Sequence, residues 1–367
     1  MADTNDAVIE AIVGLMPPLL QALDTLAVIA RRLHPPELAA LMQELGGADA
    51  AIQAPMAAFR AAVFPEALQP FCAQLEQVRD QVTRAFDGLR AAAAADDGIV
   101  PAYRALRHLP RALEALYPVA EVLPPVSRFF LEPAFRQDTG LQVRLAQAER
   151  SRGDDIGVMH ASNDNGMRGG FSLYVPEYYD PSSRWPLIVA LHGGSGHGRG
   201  FLWNWLREAR SRGAILLSPT AMGGTWSLME PALDSENLER MVDYLRERWN
   251  IDTAHMLLTG MSDGGTFSLV SGLREASPFT HLAPIAASFH PFMLELTSRE
   301  RIAGLPIRLI HGVRDWMFPV AMARTAREAF TAAGAAVSYR EVPDLSHTYP
   351  REENAGILDW FLGPRPR

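Results

Sequence analysis

The chain has 367 residues, 48% of them hydrophobic and 21% charged, with a net charge of −8. That is enough chain for about two domains with ample core, in an ordinary soluble composition. The negative balance is spread along the chain with no basic region, which excludes the electrostatic footprint of a nucleic-acid-binding protein. A single cysteine, Cys72, excludes an internal disulfide framework, and no Cys/His cluster has zinc spacing. All 34 basic residues are arginine, which we read as compositional bias without functional content.

The N-terminus, Met1-Ala2-Asp3-Thr4-Asn5-Asp6, lacks the basic start of a signal peptide. The apolar stretch from Ile12 to Ala30 is interrupted by Pro17-Pro18 and Asp24, so no membrane span is expected and the protein is expected to be cytoplasmic. Residues 1–150 are rich in alanine and leucine and show helical periodicity. From Leu68 the apolar positions run Phe71, Leu75, Val78, Val82, Ala85 and Leu89, alternating three and four residues: a helix with a narrow apolar seam. Pro65 and Pro70 push its regular start to Gln69, and Asp96-Asp97-Gly98 mark its stop. Less regular helical patterns occupy residues 5–33, 36–46, 50–63 and 99–117. We expect a helical bundle that buries its own core. Its length also permits a dimerisation surface, giving a homo-oligomer through these helices, or a cover over a site elsewhere in the chain.

The character changes beyond residue 150. Pro186 to Leu191 is a short, continuously apolar run, as a buried parallel strand requires. It ends in His192-Gly193-Gly194-Ser195-Gly196, a glycine-rich loop whose backbone N–H groups are free to point at an anion. No G-K-S/T or G-x-G-x-x-G pattern makes it a nucleotide loop. A strand from Ala214 to Ser218 follows. A further apolar run, His255 to Thr259, feeds Gly260-Met261-Ser262-Asp263-Gly264-Gly265, a serine between glycines that suits a sharp strand-to-helix turn presenting a hydroxyl. Between about Phe289 and Pro306 there is room for one short helix. The run Pro306 to Gly312 is another strand, with Asp315 in the loop after it. One helix (Val320 to Ala333) and one strand (Val337 to Val342) later comes His347.

The order Ser262, Asp315, His347 defines the candidate catalytic set. Ser262 would attack an acyl carbon, His347 would take and return its proton, and Asp315 would hold the imidazole in its working tautomer. The amides of Gly194 and Asp263 are the candidate oxyanion hole. Asp344 is a rival acid, but it stands three residues before the histidine, whereas the acid normally approaches from a different loop. His192 and His311 sit in H-G pairs at strand ends, where shaping the loop is the expected task. Trp203, Trp226 and Trp316 are candidates for an apolar substrate pocket.

The segment His311-Gly312-Val313-Arg314-Asp315-Trp316-Met317-Phe318-Pro319-Val320 resembles the H-G-x-x-D-x-x-V-P pattern of the phospholipase/carboxylesterase family, with Phe318 in place of valine. That family includes acyl-protein thioesterases and lies near polyhydroxybutyrate depolymerases and feruloyl esterases. Its nucleophile turn corresponds to Gly260–Gly265, its oxyanion loop to His192–Gly194 and its histidine to His347. The resemblance covers about residues 155 to 363. It implies an α/β-hydrolase core with a mostly parallel sheet (151–367), preceded by the all-helical domain (1–150). It implies a serine hydrolase for a small-molecule carboxylic ester or thioester, working without metal or cofactor. Where acyl-protein thioesterases carry glutamine after the serine, this chain has Asp263, and its carboxylate would have to point away from the oxyanion. A serine peptidase of the same fold, or an interaction protein with a hydrolase-like remnant, are the competing readings.

Overall fold

A computed structural model of the chain describes residues 2–148 and 155–363. It divides into two compact units, Met1–Leu131 and Glu132–Arg367.

The first unit is helical, built on two long helices, Ala2–Arg32 and Gln69–Ala93. The second of these starts at Gln69, where Pro70 falls in the first turn and loses no hydrogen bond. Its seam of Leu75, Val78, Val82, Ala85, Phe86 and Leu89 is buried, and it packs on the helices Ile99–Leu106 and His108–Leu116. At one crossing only glycine fits, because a Cβ on Gly88 would lie 2.8 Å from that of Ala105. The helix expected over residues 5–33 runs unbroken through Pro17-Pro18. The prolines remove the donors that would bond the carbonyls of Val13 and Gly14, and both of those residues are exposed, so water can take the donors' place. The stretch Asp6–Arg32 is accordingly long and apolar enough to cross a membrane by length and composition, while Leu15, Leu19, Leu23, Leu26 and Ile29 on it are buried in the protein.

The second unit is built around an eight-stranded sheet. Its strands are β1 (Gly157–Ala161), β2 (Phe171–Val175), β3 (Trp185–Leu191), β4 (Ile215–Pro219), β5 (Ile251–Met261), β6 (His281–Ile285), β7 (Pro306–Gly312) and β8 (Ala336–Val342). They are ordered β1-β2-β4-β3-β5-β6-β7-β8. β2 runs antiparallel to both β1 and β4, and the pairs from β4 through β8 are parallel. The central strands are apolar without alternation because helices cover both faces; Leu187 to Leu191 are fully buried. The core cluster joins these strands to Leu238, Val242 and Leu245 of the helix Ala232–Arg248 and to Phe267 and Leu269 of the helix Asp263–Gly272. All parallel strands point their C-terminal ends to one edge, where ligands of such sheets bind. β3, β5, β7 and β8 lead there into the loops carrying His192, Ser262, Asp315 and His347.

The boundary falls at 131/132, earlier than the 150 expected from helical composition. Helical content was a poor guide because the segment after Leu131 is anchored within the second unit by polar contacts. The Glu132 amide donates to Ser211 Oγ at 2.9 Å, and its carboxylate accepts from Arg212 Nε and Nη2 at 2.5 and 2.9 Å. In the helix Thr139–Ala148, the Arg144 guanidinium lies 5.4 Å from the ring of Tyr178.

Candidate active site

Ser262 stands between the end of β5 and the helix Asp263–Gly272 with φ 56° and ψ −121°. A non-glycine residue in that region carries about 1–3 kcal/mol of strain and persists only where its surroundings over-determine it. Those surroundings are visible. The Ser262 amide donates to Ile285 O at the end of β6 (2.9 Å), and the Thr266 amide and hydroxyl both donate to Ser262 O. Gly264 lets the helix start against β3: a Cβ there would sit 2.4 Å from His192 O and 2.5 Å from Leu191 O.

His347 Nε2 lies 2.9 Å from Ser262 Oγ, and His347 Nδ1 lies 2.8 Å from Asp315 Oδ2. Asp315 Oδ1 accepts the amides of Met317 and Phe318 at 2.9 and 2.8 Å, which fixes the carboxylate before the imidazole arrives. Burial disfavours the Asp315 charge, but the hydrogen bond and charge of His347 and the Phe318 amide outweigh it, and its pKa lies below the ordinary carboxylate value. Phe318, the residue in the valine position of the motif, packs edge-on to the His347 ring at 5.3 Å. All three polar side chains are buried. Asp344, the rival acid, is exposed. His311 Nε2 donates to Phe318 O at 2.8 Å and lies 3.4 Å from Asp315 Oδ2, so it braces the acid's loop. Burial holds its pKa below the usual value, with the Phe318 carbonyl acting in the opposite sense.

The glycine loop is held from several sides. His192 Nδ1–H donates to Gly193 O at 2.7 Å, while Nε2 accepts the Ala221 amide at 3.1 Å. That pair of partners requires the neutral ring. Burial lowers its pKa to about 3, against the Gly193 hydrogen bond, which favours the charge. Ser195 N–H donates to Gly224 O (3.1 Å), Gly196 N–H to Gly193 O (3.0 Å), and Arg168 Nη1 to Gly196 O (2.7 Å). Among the described residues, the Gly194 amide makes no hydrogen bond to another backbone group.

Two of the three tryptophans expected in a pocket are core residues. Trp226 is 3% exposed, stacks on Phe267 at 5.1 Å and donates from Nε1 to His192 O at 2.7 Å. It supports the glycine loop from beneath. Trp203, also 3% exposed, lies in the short turn Leu202–Asn204 and offers its carbonyl to Arg351. Both rings are thus packed among interior side chains. Trp316, beside Asp315, is 45% exposed. Sequence reasoning missed Arg168 and Thr225, whose hydroxyl bonds Asp263; both lie in irregular segments with no periodicity to mark them.

Fold and site define the class: the second unit is an α/β-hydrolase, with a serine on a strand-to-helix turn, a histidine and an aspartate at the C-terminal edge of a mostly parallel sheet. Residues 232–361, the segment that carries Ser262, Asp315 and His347, match the family model described as Phospholipase/Carboxylesterase. The chain is 24% identical over 209 residues to a bifunctional acetylxylan esterase/xylanase, XynS20E, of Neocallimastix patriciarum, covering 55% of this chain and 29% of that one. It thus spans under a third of the length of that curated relative. Among solved structures it is similar to a thermostable esterase (20% identity, TM-score 0.45, 57% of this chain and 62% of that one). It is also similar to Thermogutta terrifontis esterase 2 phosphorylated by paraoxon (17%, TM-score 0.48, 57% and 96%). A third is a ferulic acid esterase of Anaeromyces mucronatus in complex with ferulic acid (16%, TM-score 0.44, 59% and 94%).

Proposed function

We propose that this protein is a serine carboxylic ester hydrolase that works through an acyl-enzyme on Ser262. The observation that carries the reading is the continuous chain Ser262 Oγ, His347 Nε2, His347 Nδ1 and Asp315 Oδ2, with links of 2.9 and 2.8 Å. Ser262 Oγ attacks the ester carbonyl carbon as its proton passes to His347 Nε2. The imidazolium donates from Nδ1 to the Asp315 carboxylate. The carbonyl oxygen becomes an oxyanion facing the amides of Gly194 and Asp263, each donor contributing about 10²–10³-fold in rate. Collapse breaks the bond to the alcohol oxygen, which leaves with the proton from His347. Water, deprotonated by the same imidazole, then attacks the acyl-serine and releases the acid. A thioester would follow the same steps with a thiol leaving.

The test is a series of p-nitrophenyl esters of increasing acyl length, with Ser262→Ala alongside. We expect hydrolysis by the native chain and a loss of about 10⁴-fold or more in the variant. No ester cleaved, with both proteins alike, would refute the reading.

A further inference from the structure

Asp263 offers its main-chain N–H to the proposed oxyanion hole, so its side chain starts one residue from the developing negative charge. A carboxylate turned toward that charge opposes it. Here it is tied down. Thr225 Oγ1 donates to Asp263 Oδ2 at 2.5 Å. The same oxygen rests against the glycine loop, since a Cβ on Gly194 would lie 2.7 Å from it and 3.4 Å from Asp263 Cγ. The segment bearing Thr225 is itself fastened to that loop on both sides of the threonine. Gly224 O accepts the Ser195 amide, and Trp226 Nε1 donates to His192 O. The serine turn, the glycine loop and the 221–227 segment therefore meet at one carboxylate.

We infer that Thr225 is a positioning residue for the oxyanion hole: its hydroxyl latches the Asp263 carboxylate over Gly194, away from the oxyanion. The inference rests on Ser262 being the nucleophile. The charge it guards against exists in the transition state and not in the bound ester, so the latch acts on kcat and leaves KM nearly alone. It also accounts for an acidic residue being tolerated directly after the nucleophile. With the hydroxyl gone the carboxylate can rotate toward the hole; with the charge gone there is nothing to restrain.

The experiment is kcat and KM on p-nitrophenyl acetate for Thr225→Val, Thr225→Ser, Asp263→Asn and the double variant Thr225→Val/Asp263→Asn, with Ser262→Ala alongside. Removing the hydroxyl from the native chain is expected to lower kcat about tenfold with KM within about twofold, whereas the same change made on top of Asp263→Asn costs less than about twofold. Thr225→Ser keeps the donor and is expected to keep the rate. Equal losses on the two backgrounds, or no loss on either, overturn the latch while an inactive Ser262→Ala leaves the nucleophile reading standing. A fully active Ser262→Ala overturns both.

Discussion

At the scale of single residues, the site is a set of groups whose protonation states are set by their partners. Asp315 accepts two backbone amides on one oxygen and the imidazole on the other, so replacing it with asparagine keeps the shape and turns the wrong group toward Nδ1. Asp315→Asn is expected to lower kcat by about 10³–10⁴-fold with little change in KM, read in steady-state kinetics. Because the Asp315 pKa is held below the ordinary value, its carboxylate stays charged as the solution is acidified. Asp315 should therefore add no proton of its own to any fall of log(kcat/KM) on acidification, as read from a pH–rate profile. A slope approaching two would show that the acid titrates alongside the base. His192 gives a stability prediction of definite sign. Its folded pKa of about 3 lies below the unfolded value, so the unfolded chain binds the proton first. The contribution is complete above the unfolded histidine pKa of about 6.5 and is lost as pH falls from there toward about 3, at no more than about 1.4 kcal/mol per pH unit. Thermal melts at pH 7 and pH 5 should show a smaller acid-induced drop for His192→Gln than for the native chain; an equal drop would contradict the assignment.

At the scale of elements, the strained turn at Ser262 depends on how closely the helix Asp263–Gly272 starts against β3. Only hydrogen fits at Gly264, where the obstructing atoms are backbone oxygens of Leu191 and His192 that cannot swing aside. Gly264→Ala is therefore expected to cost about 2 kcal/mol or more in denaturant unfolding and to lower kcat, since the displaced helix carries Asp263 with it. The same scale shows what could be read beforehand. A buried parallel strand announces itself as an unbroken apolar run, as β3 does, and β3, β7 and β8 were each legible within a residue at each end. The antiparallel strand β1 was not, because its His160 is exposed and Met159 only half-buried, leaving no apolar run to find. The turn at Ser262 and the loops after β7 and β8 were legible because each follows a recognisable strand in a fixed chain order, although the side chains they bring together are 32 and 85 residues apart. Thr225 and Arg168 were not, since their partners, Asp263 and Gly196, lie 38 and 28 residues away and nothing local selects them. The burial of Trp203 and Trp226 was not legible either, because adjacency to a loop in sequence carries no direction in space.

For the whole molecule, the division at Leu131/Glu132 leaves every group of the proposed mechanism in the second unit. Residues 132–367 produced alone are therefore expected to fold and to hydrolyse p-nitrophenyl acetate. The sequence-based idea that the helical unit covers the site adds a distinct expectation: esters with longer acyl chains should gain relative to acetate when that unit is removed. An unchanged chain-length profile would remove the cover idea without touching the chemistry. The chemistry itself is tested most directly by trapping the covalent intermediate position. The native chain treated with a fluorophosphonate should gain the mass of one phosphonyl group on the peptide containing Ser262, and Ser262→Ala should gain none. An unlabelled native chain, or a label on another residue that survives in Ser262→Ala, would contradict the assignment of Ser262 as the nucleophile.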